Sequence, residues 1–115
     1  MEYKAYDSYN DTMYLNAQWI DSDGWNLSKM MRNKWFKVSH SIGLYDMNEV
    51  MVFTNDIVVI NNTPYIVSEE PCEGVYLAYN MKDIEDFIEM NTVHSNNVEV
   101  LGSKFEVENK YKQYV

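Results

Sequence analysis

The side chains best suited to catalysis or metal binding are few and widely separated in this sequence. The only histidines are His40 and His94, and with the single cysteine, Cys72, they would supply at most three scattered zinc ligands. Ser39 and Ser41 flank His40, but adjacent residues of a strand point to opposite faces, which disfavours a nucleophile–base pair. We therefore expect no catalytic residues, no metal site and no cofactor.

Loops that bind phosphate groups are also missing from the sequence. The chain has four glycines and contains no P-loop, dinucleotide-binding or nucleophile-elbow pattern. Residues 21–24, DSDG, are similar to the first half of a calcium loop, but the downstream glutamate is absent and a turn explains them better. These observations favour a binding protein over an enzyme.

Acidic residues are concentrated in the middle of the chain. Residues 41–100 contain one basic residue, Lys82, and eleven acidic ones, whereas the whole 115-residue chain has a net charge of −9. A negative potential of this kind repels a phosphate backbone and attracts basic protein surfaces. The alternative is that the acidity only keeps a small protein in solution.

Alternating apolar residues and frequent turn residues predict a series of short antiparallel strands. The first two strands, residues 2–7 and 12–15, are expected to form a hairpin, and Asn61-Asn62 predicts a second tight turn. Phe105 and Val107 are expected to continue the pairing, and residues 110–115 to be frayed. The remaining predicted strands are residues 37–42, 50–53, 57–60, 65–67, 75–79 and 98–101.

Two segments have helical spacing. Residues 80–90 give the clearer pattern, with Asn80 as N-cap and an apolar stripe that includes Ile84 and Phe87. Residues 25–37 are ambiguous, and Asp23 could cap a short helix there. The fold class predicted is mainly β: a single domain, residues 1–115, with a small curled sheet or open barrel of short antiparallel strands and one or two short helices.

Three segments together resemble the YopX family of bacteriophage and prophage proteins. They are similar to the family's opening hairpin, to its pattern Thr-Gly-Leu-x-Asp-x-Asn-Gly through Glu-Gly-Asp-Ile-Val, and to its closing Glu-Val-Ile-Gly-Asn segment. The matching segments are residues 3–7 (YKAYD) followed by Met13-Tyr14, residues 42–48 (IGLYDMN) running to 54–58 (TNDIV), and residues 98–103 (VEVLGS) with Phe105-Glu106.

The sequence departs from the family pattern at three positions. Ile42 replaces a threonine, and Glu49 and Asn55 replace glycines. Asparagine adopts positive φ more readily than other non-glycine residues, so we expect a difference mainly in the loop around Glu49. The resemblance implies a β-rich, barrel-like fold and a phage or prophage source, and it implies no activity and no functional residue.

The acidic residues of the middle segment are the candidate partner-binding residues. On the predicted helix and the preceding loop they could form a negative ribbon, because carboxylates pair well with Arg and Lys. Nearby tyrosines could serve as anchors; the alternative is an ordinary solvated helix face. The predicted set is Asp83, Glu85, Asp86 and Glu89 on the helix, Glu69, Glu70 and Glu73 in the loop, and the anchors Tyr76 and Tyr79.

The resulting hypothesis is a phage-encoded inhibitor of a bacterial nucleic-acid enzyme, such as a defence nuclease. It would act as a nucleic-acid mimic, in the manner of an anti-CRISPR protein, on a basic surface of its partner. The polar N-terminal segment and the short apolar runs indicate the bacterial cytoplasm and no membrane partner. Direct nucleic-acid binding is disfavoured by the net charge.

Two alternatives remain open at this point. An accessory protein could bind single-stranded nucleic acid through aromatic residues and the only basic cluster. The second alternative is a domain that sequesters a small molecule or a nucleotide signal. The basic cluster comprises Lys29, Arg32, Lys34 and Lys37.

Overall fold

The computed structural model describes residues 1–107, and this part of the chain forms eleven short strands and two short α-helices. The predicted frayed segment, residues 110–115, lies outside it. Helix α1 is Leu27–Arg32 and α2 is Lys104–Val107. Strands β1 to β11 are, in chain order, Tyr3–Asp7, Thr12–Tyr14, Asp21–Ser22, Trp25–Asn26, Phe36–Tyr45, Met51–Phe53, Asp56–Ile60, Thr63–Val67, Leu77–Asn80, Asp83–Glu89 and Val98–Ser103.

The strands form two antiparallel sheets that curl into a half-barrel. One sheet has the order β2-β1-β5-β6, and the other has the order β10-β9-β8-β7-β11. Strands β3 and β4 form a separate two-stranded ribbon that leads into α1. The prediction of a mainly β, curled antiparallel fold with two short helices is confirmed.

The core consists of two apolar clusters. The larger cluster lies between the two sheets: Val58 and Val67 come from the five-stranded sheet and Val52 from β6 of the four-stranded sheet, all almost fully buried. The smaller one packs α1 against the four-stranded sheet through Met30, where Trp25 and Phe36 lie with ring centroids 4.9 Å apart. The larger cluster therefore holds the two sheets against each other.

Asparagines at positive φ make the tight turns that the sequence predicted. Asn61 and Asn62 have φ values of 52° and 62°, which is the backbone of a type I′ hairpin turn. Asn55 and Glu49, which replace glycines of the family pattern, have φ values of 66° and 63°. Glu49 therefore keeps the backbone that glycine would adopt, at a cost of about 1–2 kcal/mol.

The loop that contains Glu49 is held by a buried carboxylate. Asp46 Oδ1 accepts hydrogen bonds from the backbone N–H groups of Asn48 and Val50, each at 2.8 Å. Its Oδ2 accepts the N–H of Val100 on β11 at 2.9 Å. These contacts fix the loop against the five-stranded sheet and offset the strain at Glu49.

A buried ion pair joins the two sheets. The Lys4 ammonium on β1 lies 2.5 Å from Asp56 Oδ1 on β7, and both side chains are almost inaccessible to solvent. Asp56 Oδ2 also accepts the N–H of Phe53 at 2.8 Å, and the Lys4 ammonium lies 4.7 Å from the centroid of the Phe53 ring. Burial raises the pKa of Asp56, and its contacts with Lys4 and the Phe53 N–H offset part of that rise.

The helix predicted at residues 80–90 is wrong. Residues 77–89 form a hairpin of β9 and β10, and Asn80 Oδ1 accepts the Lys82 N–H within the connecting turn instead of capping a helix. Asp83 pairs with Asn80 and Phe87 pairs with Tyr79. The three residues between them, 84–86, therefore form a bulge without regular pairing partners on β9. The bulge interrupts the two-residue period, and the apolar residues then recur at intervals that imitate a helix.

Two smaller predictions also require correction. The short helix within residues 25–37 is Leu27–Arg32. Its N-cap is Asn26 and not Asp23, because Asn26 Oδ1 accepts the Lys29 N–H at 2.9 Å. The pairing expected for Phe105 and Val107 is replaced by α2, a single helical turn. Ser103 initiates that turn, since its Oγ accepts the Phe105 N–H.

Replacing Lys4 with Met should lower the free energy of unfolding by about 3–5 kcal/mol, because the Asp56 carboxylate would remain buried without its partner. The deficit should shrink as the pH falls: the folded variant takes up the Asp56 proton more readily than the unfolded chain, which favours folding in acid. Urea unfolding followed by tryptophan fluorescence measures both effects. Lys82→Met, at an exposed lysine, is the control, and an equal loss in both variants contradicts the prediction.

Asp7 should make the wild-type protein more stable as the pH rises, which is opposite to the effect expected from Asp56 in the Lys4→Met variant. Burial acts to raise its pKa, but hydrogen bonds from the Asn10 side chain and from the N–H groups of Asn10 and Tyr9 lower it below the ordinary value of 3.8. Its contribution is therefore present above that value and is lost as the pH falls through the lower folded pKa. The difference in unfolding free energy between the wild type and Asp7→Asn should be largest near neutral pH. A difference that grows toward acid would contradict this.

Candidate functional site

The first part of the predicted acidic set lies on a short hairpin loop. Residues 68–76 connect β8 to β9, and the Ser68 N–H donates to the Leu77 carbonyl at the base of the loop. At its tip Cys72 and Val75 exchange two backbone hydrogen bonds around Glu73 and Gly74, both at positive φ. Glu69, Glu70 and Glu73 are all exposed on this loop.

The second part lies on β10, which is an edge strand. β10 pairs only with β9 in the five-stranded sheet, and its other side carries no strand within the described residues. The bulge at 84–86 separates Asp83 from the regular pairs at Phe87 and Glu89. The four predicted acids of this segment, Asp83, Glu85, Asp86 and Glu89, are all exposed.

The loop and the strand meet at the start of β9. Glu89 pairs with Leu77, the first residue of β9, and the Met90 N–H donates to the Tyr76 carbonyl at 2.8 Å. Asp83 pairs with Asn80 at the other end of β9, which is about 10 Å away for a strand of this length. Seven exposed carboxylates thus lie on this loop and on the adjoining edge strand, a set here called the acidic edge: Glu69, Glu70, Glu73, Asp83, Glu85, Asp86 and Glu89.

No acid of the acidic edge forms an ion pair within residues 1–107, although the exposed Lys82 lies next to Asp83 in the turn between β9 and β10. The ion pair found in residues 1–107 is the buried one between Lys4 and Asp56. Of the eleven acids in residues 41–100, Asp46 and Asp56 are buried and bonded, whereas the other nine are exposed. The negative charge that the sequence concentrates in this segment therefore faces solvent.

Asp86 differs from the neighbouring acids because its carboxylate accepts two side-chain hydrogen bonds from within the sheet. Its Oδ2 accepts hydrogen bonds from the Tyr65 hydroxyl at 3.2 Å and from Asn80 Nδ2 at 3.0 Å. Burial and the adjacent Asp86 carboxylate raise the pKa of Tyr65. Asp86 closes the bulge against β8 and β9, whereas the Glu85 and Glu89 carboxylates make no contact of this kind within residues 1–107.

The predicted tyrosine anchors are half-buried, and only Tyr76 packs against the core. The Tyr76 hydroxyl lies 2.5 Å from His40 Nε2 on β5, a contact that links the two sheets. Tyr79 packs beside Phe87, with ring centroids 6.0 Å apart. The exposed apolar residues of this edge are instead Ile84, 76% exposed, and Phe87, 52% exposed. Helical spacing predicted that both residues belong to a buried stripe; instead Ile84 lies in the bulge and Phe87 pairs with Tyr79.

The candidate catalytic and metal-ligating side chains are dispersed. His40 contacts Tyr76, His94 Nδ1 accepts the Asn96 N–H, and Cys72 is exposed on the acidic loop. Residues 1–107 contain no group of three His, Cys, Asp or Glu residues arranged to hold a metal ion. They also contain no helix with the length and hydrophobicity needed to cross a bilayer.

A cleft of about 400 Å³ lies between β1, β6 and β11, with Lys4 and Phe53 in its wall.

Comparison with known proteins relates the whole chain to one family. The family model described as YopX protein matches residues 2–109. The crystal structure of protein EF1440 from Enterococcus faecalis is similar, with a TM-score of 0.63 and 15% sequence identity over 95% of this chain and 96% of that one. At that identity the likeness concerns the fold alone. A comparison with curated proteins found no match.

Asp86 and Glu85 should respond differently to truncation. Asp86→Ala removes the acceptor of two side-chain hydrogen bonds and should lower the free energy of unfolding by about 1–3 kcal/mol. Glu85→Ala removes an exposed carboxylate of the same bulge and should change it by less than about 0.5 kcal/mol. Parallel urea unfolding curves measure the difference, and equal effects would mean that Asp86 does not hold the bulge.

Proposed function

The chain belongs to the YopX family, and on that premise we propose that it is a phage-encoded, non-enzymatic binding protein that inhibits a bacterial nucleic-acid enzyme. The first target class to test is a defence nuclease, including an RNA-guided one, in the host cytoplasm. The observation that carries the proposal is the acidic edge, where seven exposed carboxylates border β9 and β10 without a cation partner among residues 1–107.

The acidic edge would compete with the phosphates of the enzyme's substrate. Carboxylates form charge-assisted hydrogen bonds with Arg and Lys, and Arg often binds them through two parallel bonds. A positive channel that normally attracts nucleic acid would accelerate association with a negative protein surface. The curled sheet holds the carboxylates on a strand and a tight hairpin, so little conformational entropy is lost when they bind.

Exposed apolar residues would supply the contacts that charge alone does not. Ile84 and Phe87 lie among Asp83, Glu85 and Glu89 on the same edge strand. Large apolar side chains at the centre of an interface, surrounded by polar ones, often contribute most of the binding energy. The combination of a charged rim and two apolar residues favours a protein partner.

The function is tested in two steps on the full chain. Tagged protein is incubated with host lysate, and captured proteins are identified by mass spectrometry. Each captured nuclease is then purified and assayed for cleavage of labelled DNA with increasing amounts of the protein. Inhibition that saturates at a fixed stoichiometry supports the proposal. Normal cleavage by every captured nuclease would falsify it.

Charge reversal should separate the acidic edge from general acidity. Glu85→Lys with Glu89→Lys places two cations on the edge without touching Asp86, and should weaken inhibition at least about 30-fold. Glu49→Lys with Glu99→Lys is the matched control, because both are exposed acids outside the acidic edge and their reversal changes the net charge by the same amount. Inhibition measured as a function of protein concentration gives the comparison. Similar losses in both variants would show that overall charge, and not the acidic edge, is responsible.

A further inference from the structure

A second surface of the molecule combines basic and aromatic side chains. It lies where the turn between β1 and β2 meets the segment that joins α1 to β5. Tyr9 is 73% exposed and Trp35 is 45% exposed, and their ring centroids are 5.4 Å apart at an angle of 60°. We call this surface the basic-aromatic patch; it comprises Tyr9, Lys29, Arg32, Lys34, Trp35 and Lys37.

Backbone contacts hold Trp35 in place while its ring remains exposed. The Ser8 N–H and hydroxyl both donate to the Trp35 carbonyl, at 2.8 and 2.7 Å. The Trp35 N–H donates to Asn33 Oδ1 at 2.8 Å. A large aromatic ring on a fixed backbone is a suitable surface for stacking, because little freedom is lost when a planar ligand binds.

The patch contains the only cluster of basic side chains in this part of the sequence. Residues 24–45 contain four basic residues and no acidic one, but the exposed Asp11 lies in the same turn as Tyr9, and the exposed Asp23 precedes the Gly24 carbonyl that Lys29 contacts. Lys29 and Lys37 donate only to backbone carbonyls, of Gly24 and Lys34, so each ammonium retains further donors. The Lys34 ammonium lies 5.0 Å from the centroid of the Trp35 ring, and its exposed, flexible chain can reach a neighbouring phosphate.

A recess beside the two rings adds hydrogen-bonding groups. It has a volume of about 180 Å³, and its wall contains the carboxylate-bearing Asp7 as well as Tyr9, Asn10, Asn33 and Trp35. It is smaller than the pockets of about 300–1,000 Å³ that enclose small ligands, so it suits one planar group more than a whole cofactor. The amides of Asn10 and Asn33 lie in its wall, where they can contact the edge of such a group.

The patch and the acidic edge belong to different sheets. They are connected along β5, which runs from next to Trp35 to His40, and His40 contacts Tyr76 at the end of the loop at residues 68–76. Trp35 and His40 are five residues apart, about 17 Å along a strand. At about 0.1 M salt the screening length is about 10 Å, so the potential of the acidic edge is weakened at the patch.

We propose that the basic-aromatic patch binds single-stranded nucleic acid. One base would stack on the exposed ring of Trp35 or Tyr9, and the adjacent phosphates would contact Arg32, Lys34 and Lys37. Stacking is tolerant of sequence, so the patch would show little base preference. This binding is independent of the proposed inhibition, because it uses neither the acidic edge nor a protein partner.

The test uses the full chain and a fluorescein-labelled oligothymidine of about 12 nucleotides, a length within the range of single-strand binding sites. Anisotropy at about 50 mM salt should rise with protein concentration, and the logarithm of affinity should fall with the logarithm of salt with a slope of about −2 for three cations. Trp35→Ala should weaken binding about fivefold or more. Lys34→Glu with Lys37→Glu should weaken it further while leaving both aromatic rings in the chain.

Matched controls distinguish the patch from other exposed residues. Trp19→Ala removes a tryptophan that is 76% exposed outside the patch, and Lys82→Glu reverses a cation in the other sheet; both should bind like the wild type. Glu85→Lys with Glu89→Lys should retain binding, which separates this result from loss of inhibition. Absence of binding at about 50 mM salt, or equal losses in Trp35→Ala and Trp19→Ala, would overturn the proposal. So would salt-sensitive self-association that Lys34→Glu abolishes, because the patch would then bind a second copy of the chain.

Discussion

Lys4 and Asp56 connect the two sheets through an ion pair that is closed to solvent. Both charges lose their hydration, and each is compensated by local contacts: the Asp56 carboxylate accepts from the Lys4 ammonium and the Phe53 N–H, and the ammonium also lies against the face of the Phe53 ring. A buried pair of this kind contributes less to stability than to specificity, since a shift of β1 against β7 would leave each charge alone. The pair thereby helps to hold the two sheets, and the surfaces that they carry, in one relative arrangement.

The carboxylates of the chain divide into two groups with different physical roles. Asp7, Asp46 and Asp56 are buried and accept hydrogen bonds from backbone N–H groups, so they build turns and join strands. All three lie in the segments by which the sequence resembles the YopX family. The acids of the loop at 68–76 and of β10, in contrast, face solvent. These three buried acids help to hold the scaffold, whereas the acidic edge lies outside the three similar segments but within the span of the family match, residues 2–109.

Local patterns were sufficient for most strands and turns, as the Asn61-Asn62 hairpin shows, because residues at positive φ and β-branched runs carry strong local preferences. They failed at residues 80–90, where pairing with β9 outweighs helical spacing and a three-residue bulge disguises the strand. The acids of the candidate site could be named from composition alone. The contact between Tyr76 and His40, the bonds to Asp86 and the meeting of Tyr9 with Trp35 join distant segments. Such contacts have no signature in a local pattern.

The bulged edge strand also bears on how this protein coexists with copies of itself. An open strand with Ile84 and Phe87 exposed is a template onto which another chain could add, and that is the first step of fibril growth. The irregular backbone at 84–86 prevents regular pairing with an added strand, and repulsion between identical rows of carboxylates opposes the approach of a second copy. Neutralising those carboxylates would remove the repulsion. The same charges that would attract a basic surface therefore also keep concentrated protein from polymerising through its sheets.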